Sequence, residues 1–271
     1  MLLLGLWACE RFEFRGFVNG YEQANERFEA SMDYNQIHGY DTLQLAQETY
    51  SVYVMGDSHL GTANNLKRFL DLASQNNAIA VLMAGDITEG HDYDYDTLDA
   101  ALANYQHLNL YPVVGNHDIY FGSWKHFQSR FGSSSYLTVV ETPSAKDLFI
   151  HLDSGSGTFG GKQLEWLDNL LSKYRSQFRL VSIQTHNNLF RVRHTGSTNP
   201  NVEEIYAFSE LCVKHQVDLV ITAHDHKQNS RRLGPTLHIT MDALLDKAEK
   251  PGYSILSVGL NGLNHQFLAL E

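Results

Sequence analysis

From residue 50 onward, short apolar runs alternate with amphipathic stretches. "YSVYVM" at 50–55 reads as a strand, "NNLKRFLDLASQ" at 64–75 as a helix, "AIAVLMA" at 78–84 as a strand, "DTLDAALANYQHL" at 96–108 as a helix and "YPVVG" at 111–115 as a strand. The strands are continuous rather than alternating in polarity. They are therefore expected to be buried on both faces, in βαβ units with a largely parallel sheet. Strands follow near 136–140 and 147–152, then a helix near 161–173, the strand "FRLVSIQ", a helix near 203–215 and the strand "VDLVIT". "TLHITM", "YSILSV" and "HQFLAL" close the chain as consecutive short strands, so a second sheet is expected to be mixed or antiparallel. There is no internal repeat or low-complexity tract.

Upstream of this pattern, residues 1–40 read as an N-terminal tail, with the folded domain at 41–271. The tail holds one short helix, signalled by Tyr21, Ala24, Phe28 and Met32 at helical spacing. Leu6-Trp7-Ala8-Cys9 resembles a bacterial lipobox, in which the cysteine is acylated after signal cleavage. A basic leader is missing and the apolar run is short, so the alternative is a plain apolar N-terminus. Acylation at Cys9 would put the protein at the cell envelope and would be its one route to a membrane; without it, a cytoplasmic location is expected. No apolar run approaches the roughly 18–20 residues of a membrane-spanning helix.

Composition narrows the chemistry. With 271 residues and 43% hydrophobic positions, the chain can bury one large core. Its formal net charge of −11 repels polyanions, which makes nucleic acid an unlikely partner. Cys9 and Cys212 are the only cysteines, so a disulfide framework and a cysteine-rich zinc site are both excluded. Any metal site must use His, Asp, Asn or Glu.

Residues of those types collect where apolar strands end. "VYVMGDSH" ends in Asp57 and His59, "VLMAGD" in Asp86, "PVVGNHD" in Asn116, His117 and Asp118, "LVSIQTH" in His186, and "LVITAHDH" in His224 and His226. Each alone has an ordinary reading as a turn residue, a helix cap or a hydrogen-bonded core group. Together, delivered to one sheet edge, four imidazoles, two carboxylates and an amide would be costly to bury without a compensating partner. Spacing of i and i+2 in an extended segment puts Asp57 with His59, and His224 with His226, on one side. Seven ligands suit two ions sharing a carboxylate, and the mixture suits zinc, iron or manganese. Such a pair clamps an in-line displacement at phosphorus.

These motifs in order, "GDSH", "AGD", "VGNHD", "QTH" and "TAHDH", resemble the calcineurin-like metallophosphoesterase superfamily over about residues 50–260. "LDSGSGTFGGKQLEWL" is similar to that family's segment between the third and fourth motifs. The resemblance implies a four-layer α/β/β/α sandwich of two mixed β-sheets flanked by helices. It assigns Asp57, His59 and His226 to one ion and Asn116, His186 and His224 to the other, with Asp86 bridging. It makes His117 the residue facing substrate, with Glu89 orienting it, and leaves Asp118 structural. Two departures stand out: Ala223 replaces the usual glycine, and Asn187-Asn188 stands where many members have proline.

The implied activity is hydrolysis of phosphate monoesters or diesters, in which the ions lower the pKa of a bridging water and His117 protonates the leaving group. Arg191 and Arg193, in "LFRVRHTG", are candidates for a phosphate contact, with a solvated loop as the alternative. Two rivals remain open: a non-catalytic metal-binding scaffold for a protein partner, which has no use for His117, and a nuclease, which the acidic balance opposes. The expected partner is a small phosphoester. Oligomeric state is not legible.

Overall fold

The computed structural model describes residues 21–190 and 202–271. Helix α1 (Ala24–His38) and strand β1 (Asp41–Gln44) precede the first expected unit, β2 (Tyr50–Met55), α2 (Asn64–Gln75), β3 (Ala80–Met83), α3 (Asp92–Leu102) and β4 (Leu110–Pro112). A 3-10 turn (His117–Gly122) and α4 (Trp124–Phe131) lead to β5 (Tyr136–Glu141), β6 (Lys146–His151), α5 (Gly161–Tyr174), β7 (Leu180–Gln184), α6 (Val202–Lys214) and β8 (Leu219–Thr222). The chain ends in β9 (Asn229–Leu233), β10 (Thr236–Thr240), β11 (Gly252–Gly259) and β12 (Gly262–Ala269).

Two mixed sheets result, one in the order β1-β5-β6-β7-β8-β10-β9 and one in the order β12-β11-β2-β3-β4. They stack face to face with helices outside, which is the expected four-layer sandwich. The central strands are apolar on both faces because each face has its own core. Val52, Val54 and Leu82 pack between the sheets against Phe149, Ile221 and Met241. Tyr53, Met55, Val81 and Met83 face Phe69, Leu98 and Phe127 of the helices on one side. Ile150, Ile183 and Val220 face Leu167 and Phe208 on the other.

The sheets do not divide the chain into halves. Of the last three apolar strands, β10 lies beside β8 in the larger sheet, while β11 pairs antiparallel with β2 and carries β12 to the edge of the smaller one. Periodicity shows that these runs are strands but carries no information on pairing partners. Strand β9 has every residue exposed, so it has no apolar face to betray it, and its polar edge resists pairing with other chains. The helix expected at 96–108 begins earlier. The backbone N–H of His91 donates to Asp94 Oδ2 at 3.0 Å in a capping box, which starts the helix at Asp92.

Helix α1 lies in the segment expected as a tail, and its packed face is partly polar: Ala24, Arg27, Phe28, Ser31 and Asn35 are buried, while Tyr21 is exposed. Arg27 donates from Nε and Nη2 to the two carboxylate oxygens of Asp153, at 2.8 and 3.0 Å, with both side chains out of solvent. Asn35 Nδ2 donates to the Ser135 carbonyl at 2.7 Å. Removing one member of a buried ion pair strands the other, at a cost of about 3–5 kcal/mol. Arg27→Met should therefore destabilise the protein by about that amount in denaturant unfolding. Lys162→Ala, which breaks the exposed pair between α5 and Glu29 of the same helix, should cost no more than about 1 kcal/mol. Equal, small losses in both variants would show that the buried pair is not what holds α1.

Candidate metal centre

The ligand-type residues occupy loops at the C-terminal ends of β2, β3, β4, β7 and β8. Because strands β2 to β4 run parallel in one sheet and β7 and β8 run parallel in the other, both sets of ends meet at one rim of the sandwich. The site thus straddles two sheets rather than the single sheet edge expected. His224 N–H, after β8, donates to Asp57 Oδ2 after β2 at 2.9 Å, joining the two halves.

The extended i, i+2 geometry does not hold. Asp57, His59, Asp86, His224 and His226 all have positive φ, between 39° and 72°. The chain turns sharply at each, and the side chains meet because of those turns. Asp and His are among the residue types that tolerate left-handed backbone, and clustered strain of this kind is characteristic of functional sites. Two close approaches depend on glycine. A Cβ at Gly115 would overlap the Asp86 carboxylate, and one at Gly85 would lie 2.7 Å from His186 Nδ1. The Ala223 departure is accommodated at Gly56, where an added Cβ would sit 2.6 Å from that of Ala223.

Three sets of donor atoms, each within 4.8 Å, are formed by Asp57, His59 and His226, by His59, Asp86 and His117, and by Asp86, His186 and His224. Asp86 belongs to two of them. Its Oδ2 lies 3.7 Å from His59 Nε2 and 3.3 Å from His186 Nε2, while Oδ1 accepts from the His117 backbone N–H at 2.8 Å. Asn116 Oδ1 is 3.2 Å from His186 Nε2. All seven expected ligands are thus gathered at one centre. Asp57, Asp86, Asn116, His186 and His224 are almost wholly buried, whereas the His226 side chain is 35% exposed and opens the site to solvent.

This donor set fits divalent cations. His59 Nε2 faces His226 Nε2 at 3.1 Å, and His186 Nε2 faces His224 Nδ1 at 3.0 Å. Imidazole nitrogens that close must share a proton or direct their lone pairs at a common cation. His186 Nδ1 lies 2.9 Å from the Ala84 carbonyl and can donate to it, which would leave Nε2 for a cation, as metal-binding histidines are commonly arranged. Charge is similarly unbalanced. Burial, with Asp86 nearby, raises the Asp57 carboxyl to about 7. Burial opposes a charged His186, but the carboxylates of Asp86 and Asp57 outweigh it and raise the imidazole to about 9. Burial also works against ionised Asp86, and His186, His117 and His59 overcome it, holding Asp86 well below the usual carboxylate range. The residues named would hold metal through Asp57, His59 and His226 on one side and Asn116, His186 and His224 on the other, with Asp86 between.

Glu89 touches two histidines. Oε2 is 2.7 Å from His117 Nδ1, and Oε1 lies 3.2 Å from His59 Nδ1, outside hydrogen-bond alignment. The hydrogen bond from His117, and after it the nearby His59 ring, hold its carboxyl well below the usual range. Asp118 is wholly buried and accepts from the backbone N–H groups of Thr88 and Gly115 at 2.8 and 2.9 Å, tying the turns after β3 and β4 together. Several supporting residues escaped the sequence reading. Ser154 Oγ accepts from the N–H groups of His186 and Asn187 at 3.2 and 2.9 Å, Tyr120 Oη accepts from Asn116 Nδ2 at 2.7 Å, and Asn188 Nδ2 donates to Asp225 at 2.9 Å. Ser154 had a signal in its place within "LDSGSG", and Asn188 in the Asn187-Asn188 departure. Arg191, Arg193 and Cys9 lie outside the described residues. Among the described residues no helix is long and apolar enough to cross a membrane.

The profile of the calcineurin-like phosphoesterase family matches residues 50–228. No curated protein matches the chain significantly in sequence. Solved structures share the fold at low identity. GAP50, the anchor in the inner membrane complex of Plasmodium, superposes with a TM-score of 0.68 at 14% identity, over 83% of this chain and 86% of that one. A dimetal phosphatase from Danio rerio gives 0.62 at 15% identity, over 82% and 99%. The purple acid phosphatase PPD1 from yellow lupin seeds gives 0.63 at 12% identity, over 83% of this chain and 52% of its own.

A cation that binds only the folded state raises stability, by about 2.7 kcal/mol at 100 times its dissociation constant. Chelated protein should therefore melt at a higher temperature when manganese or zinc is added, and Asp86→Ala should abolish most of that rise. A wild-type melting temperature indifferent to both metals would show that the cluster holds neither.

Proposed function

Since the chain belongs to the calcineurin-like phosphoesterase family, we infer that it hydrolyses small phosphate esters with two divalent ions held side by side across Asp86. The observation that carries this reading is the pairing of a buried, cation-seeking donor cluster with an imidazole that has a carboxylate behind it. His117 is ordered from both ends. Its backbone N–H is held by Asp86, and its Nδ1 by Glu89.

Divalent ions at such a centre supply an activated water and neutralise the phosphoryl oxygens. The chain's own contribution lies at the leaving group. With Nδ1 engaged by Glu89, the other ring nitrogen of His117, Nε2, carries the proton that the departing ester oxygen takes up as its bond to phosphorus breaks. Glu89 keeps the ring oriented. The net charge of −11 does not oppose an anionic substrate, because cations at the rim reverse the local field. It does weigh against polynucleotides, so the nuclease reading is set aside. A scaffold or anchor would have no use for the Glu89–His117 pair, which favours catalysis over an anchoring role like that of the Plasmodium neighbour.

His117 also lies within reach of His59 and Asp86, so a role as ligand is the direct competitor. His117→Ala should keep the full metal content and lose about 10²–10⁴-fold in kcat on alkyl phosphates. The loss on p-nitrophenyl phosphate should be smaller, since that leaving group needs little protonation. Glu89→Gln should reproduce a weaker form of the same pattern. Metal loss in His117→Ala would make it a ligand, and an equal small deficit on both esters would remove it as the acid.

A further inference from the structure

Beside His117 the surface carries rings that the metal centre does not use: His91 caps α3, and Phe121 and Tyr93 lie on either side of it. His91, Phe121 and Tyr93 are nearly parallel: His91 and Phe121 stack with centroids 4.5 Å apart at 14°, and His91 and Tyr93 at 5.1 Å and 16°. The outer members are open to solvent, Phe121 at 38% and Tyr93 at 64%. The stack rises from the same two loops as the acid. His91 is two residues beyond Glu89, and Phe121 continues through Tyr120, whose ring centroid is 4.6 Å from that of His117.

Phe121 has φ 58° and ψ 23°, and Gly122 after it has φ 72°. Two successive left-handed residues are the backbone that Asn-Gly forms most readily, and a bulky aromatic residue there is an outlier. The backbone therefore gains nothing from this ring, and with 38% of the residue exposed the ring recovers only part of what full burial would give. Strain of this sort next to a reacting group is expected where the side chain itself has work to do.

We propose that Phe121, with His91 and Tyr93, is a stacking platform for the leaving group of the substrate, selecting esters whose alcohol carries a planar aromatic ring. This rests on the phosphoesterase reading, in which the leaving group departs on the His117 side. Rings in series offer end faces for another planar ring, as bases and aryl groups stack. They do not surround a point, as a cage for a quaternary ammonium does. Asp92 and Asp96 at the start of α3 are partnered by His126 at 2.8 Å and Arg130 at 3.7 Å, so the choice of leaving group rests on stacking, which a nucleoside or a phenol supplies.

Binding can be read without turnover by calorimetry on manganese-loaded protein, using non-hydrolysable methylene phosphonates of adenosine, phenol, glycerol and choline. The wild-type protein should bind the adenosine and phenol analogues more tightly than the glycerol one. Phe121→Asn, which keeps the left-handed turn and should melt like the wild type, should narrow that ratio by about fivefold to tenfold, the scale of one lost stacking contact. Tyr93→Ser should narrow it less. A preference for the choline analogue, no preference, or an unchanged ratio in Phe121→Asn would overturn the platform. If the adenosine analogue is preferred over the phenol one, the source is a nucleoside. Should the preference and its loss appear while no ester is hydrolysed, the platform stands as a binding site and the phosphoesterase reading fails; hydrolysis without the preference gives the reverse.

Discussion

The carboxylate of Asp86 sits where two sheets meet, and the rest of the site is arranged around keeping it charged there. It is almost wholly buried, which opposes ionisation, yet His186 and His59 face one of its oxygens and the His117 amide faces the other. Those partners arrive from β2, β4 and β7, two strands of one sheet and one of the other. Neither sheet can slide or twist against its neighbour without pulling a cationic or polar group off a buried charge, a loss that low-dielectric surroundings make expensive. The sandwich is thus held in register at its rim by polar contacts as well as in its middle by Val, Ile and Leu.

Support for that rim comes from further out, in layers. Asp118 ties the turn after β3 to the turn after β4. Ser154 holds the backbone at His186, and its neighbour Asp153 is fixed by Arg27 of α1. An N-terminal helix outside the family match therefore reaches one residue short of the group that seats His186. Glu89 performs the corresponding task on the solvent side, where it approaches both His59 and His117. In the proposed reaction, one exposed carboxylate would govern both a ligand and the proton donor.

The acidic net charge and the local demand for cations are two parts of one electrostatic design. Buried donors that cannot balance their own charge favour a small doubly charged ion over water, and ions held there would make the rim attractive to an anionic ester. The leaving-group side, with its exposed rings and the acidic start of α3, presents a different surface. In the proposed reaction the phosphate would lie at the centre and a planar leaving group beside it.

How much of this was legible in the sequence follows from what each signal measures. Apolar runs at 50–55, 80–83, 180–184 and 219–222 identify doubly buried strands because burial on both faces removes polar alternation, and ligand-type residues at their ends reveal a site because so many costly groups have no other reason to collect there. Strand pairing was not legible: β10 and β11 are alike in composition yet join different sheets, since pairing depends on where the chain returns in space. The polar face of α1 was hidden because Arg27, Ser31 and Asn35 read as solvated until Asp153 and Ser134–Ser135 are placed against them. The i, i+2 argument assumed extended backbone, but Asp57, His59, His224 and His226 sit in left-handed turns fixed by packing across the two sheets, and His224 and His226 fall in different donor sets. The sequence by itself determined which residue types would have to find a cation, through the cost of burying them. Only the tertiary structure decided that they meet at the seam of two sheets, since contacts between residues distant in the chain are set by the fold and leave no local trace.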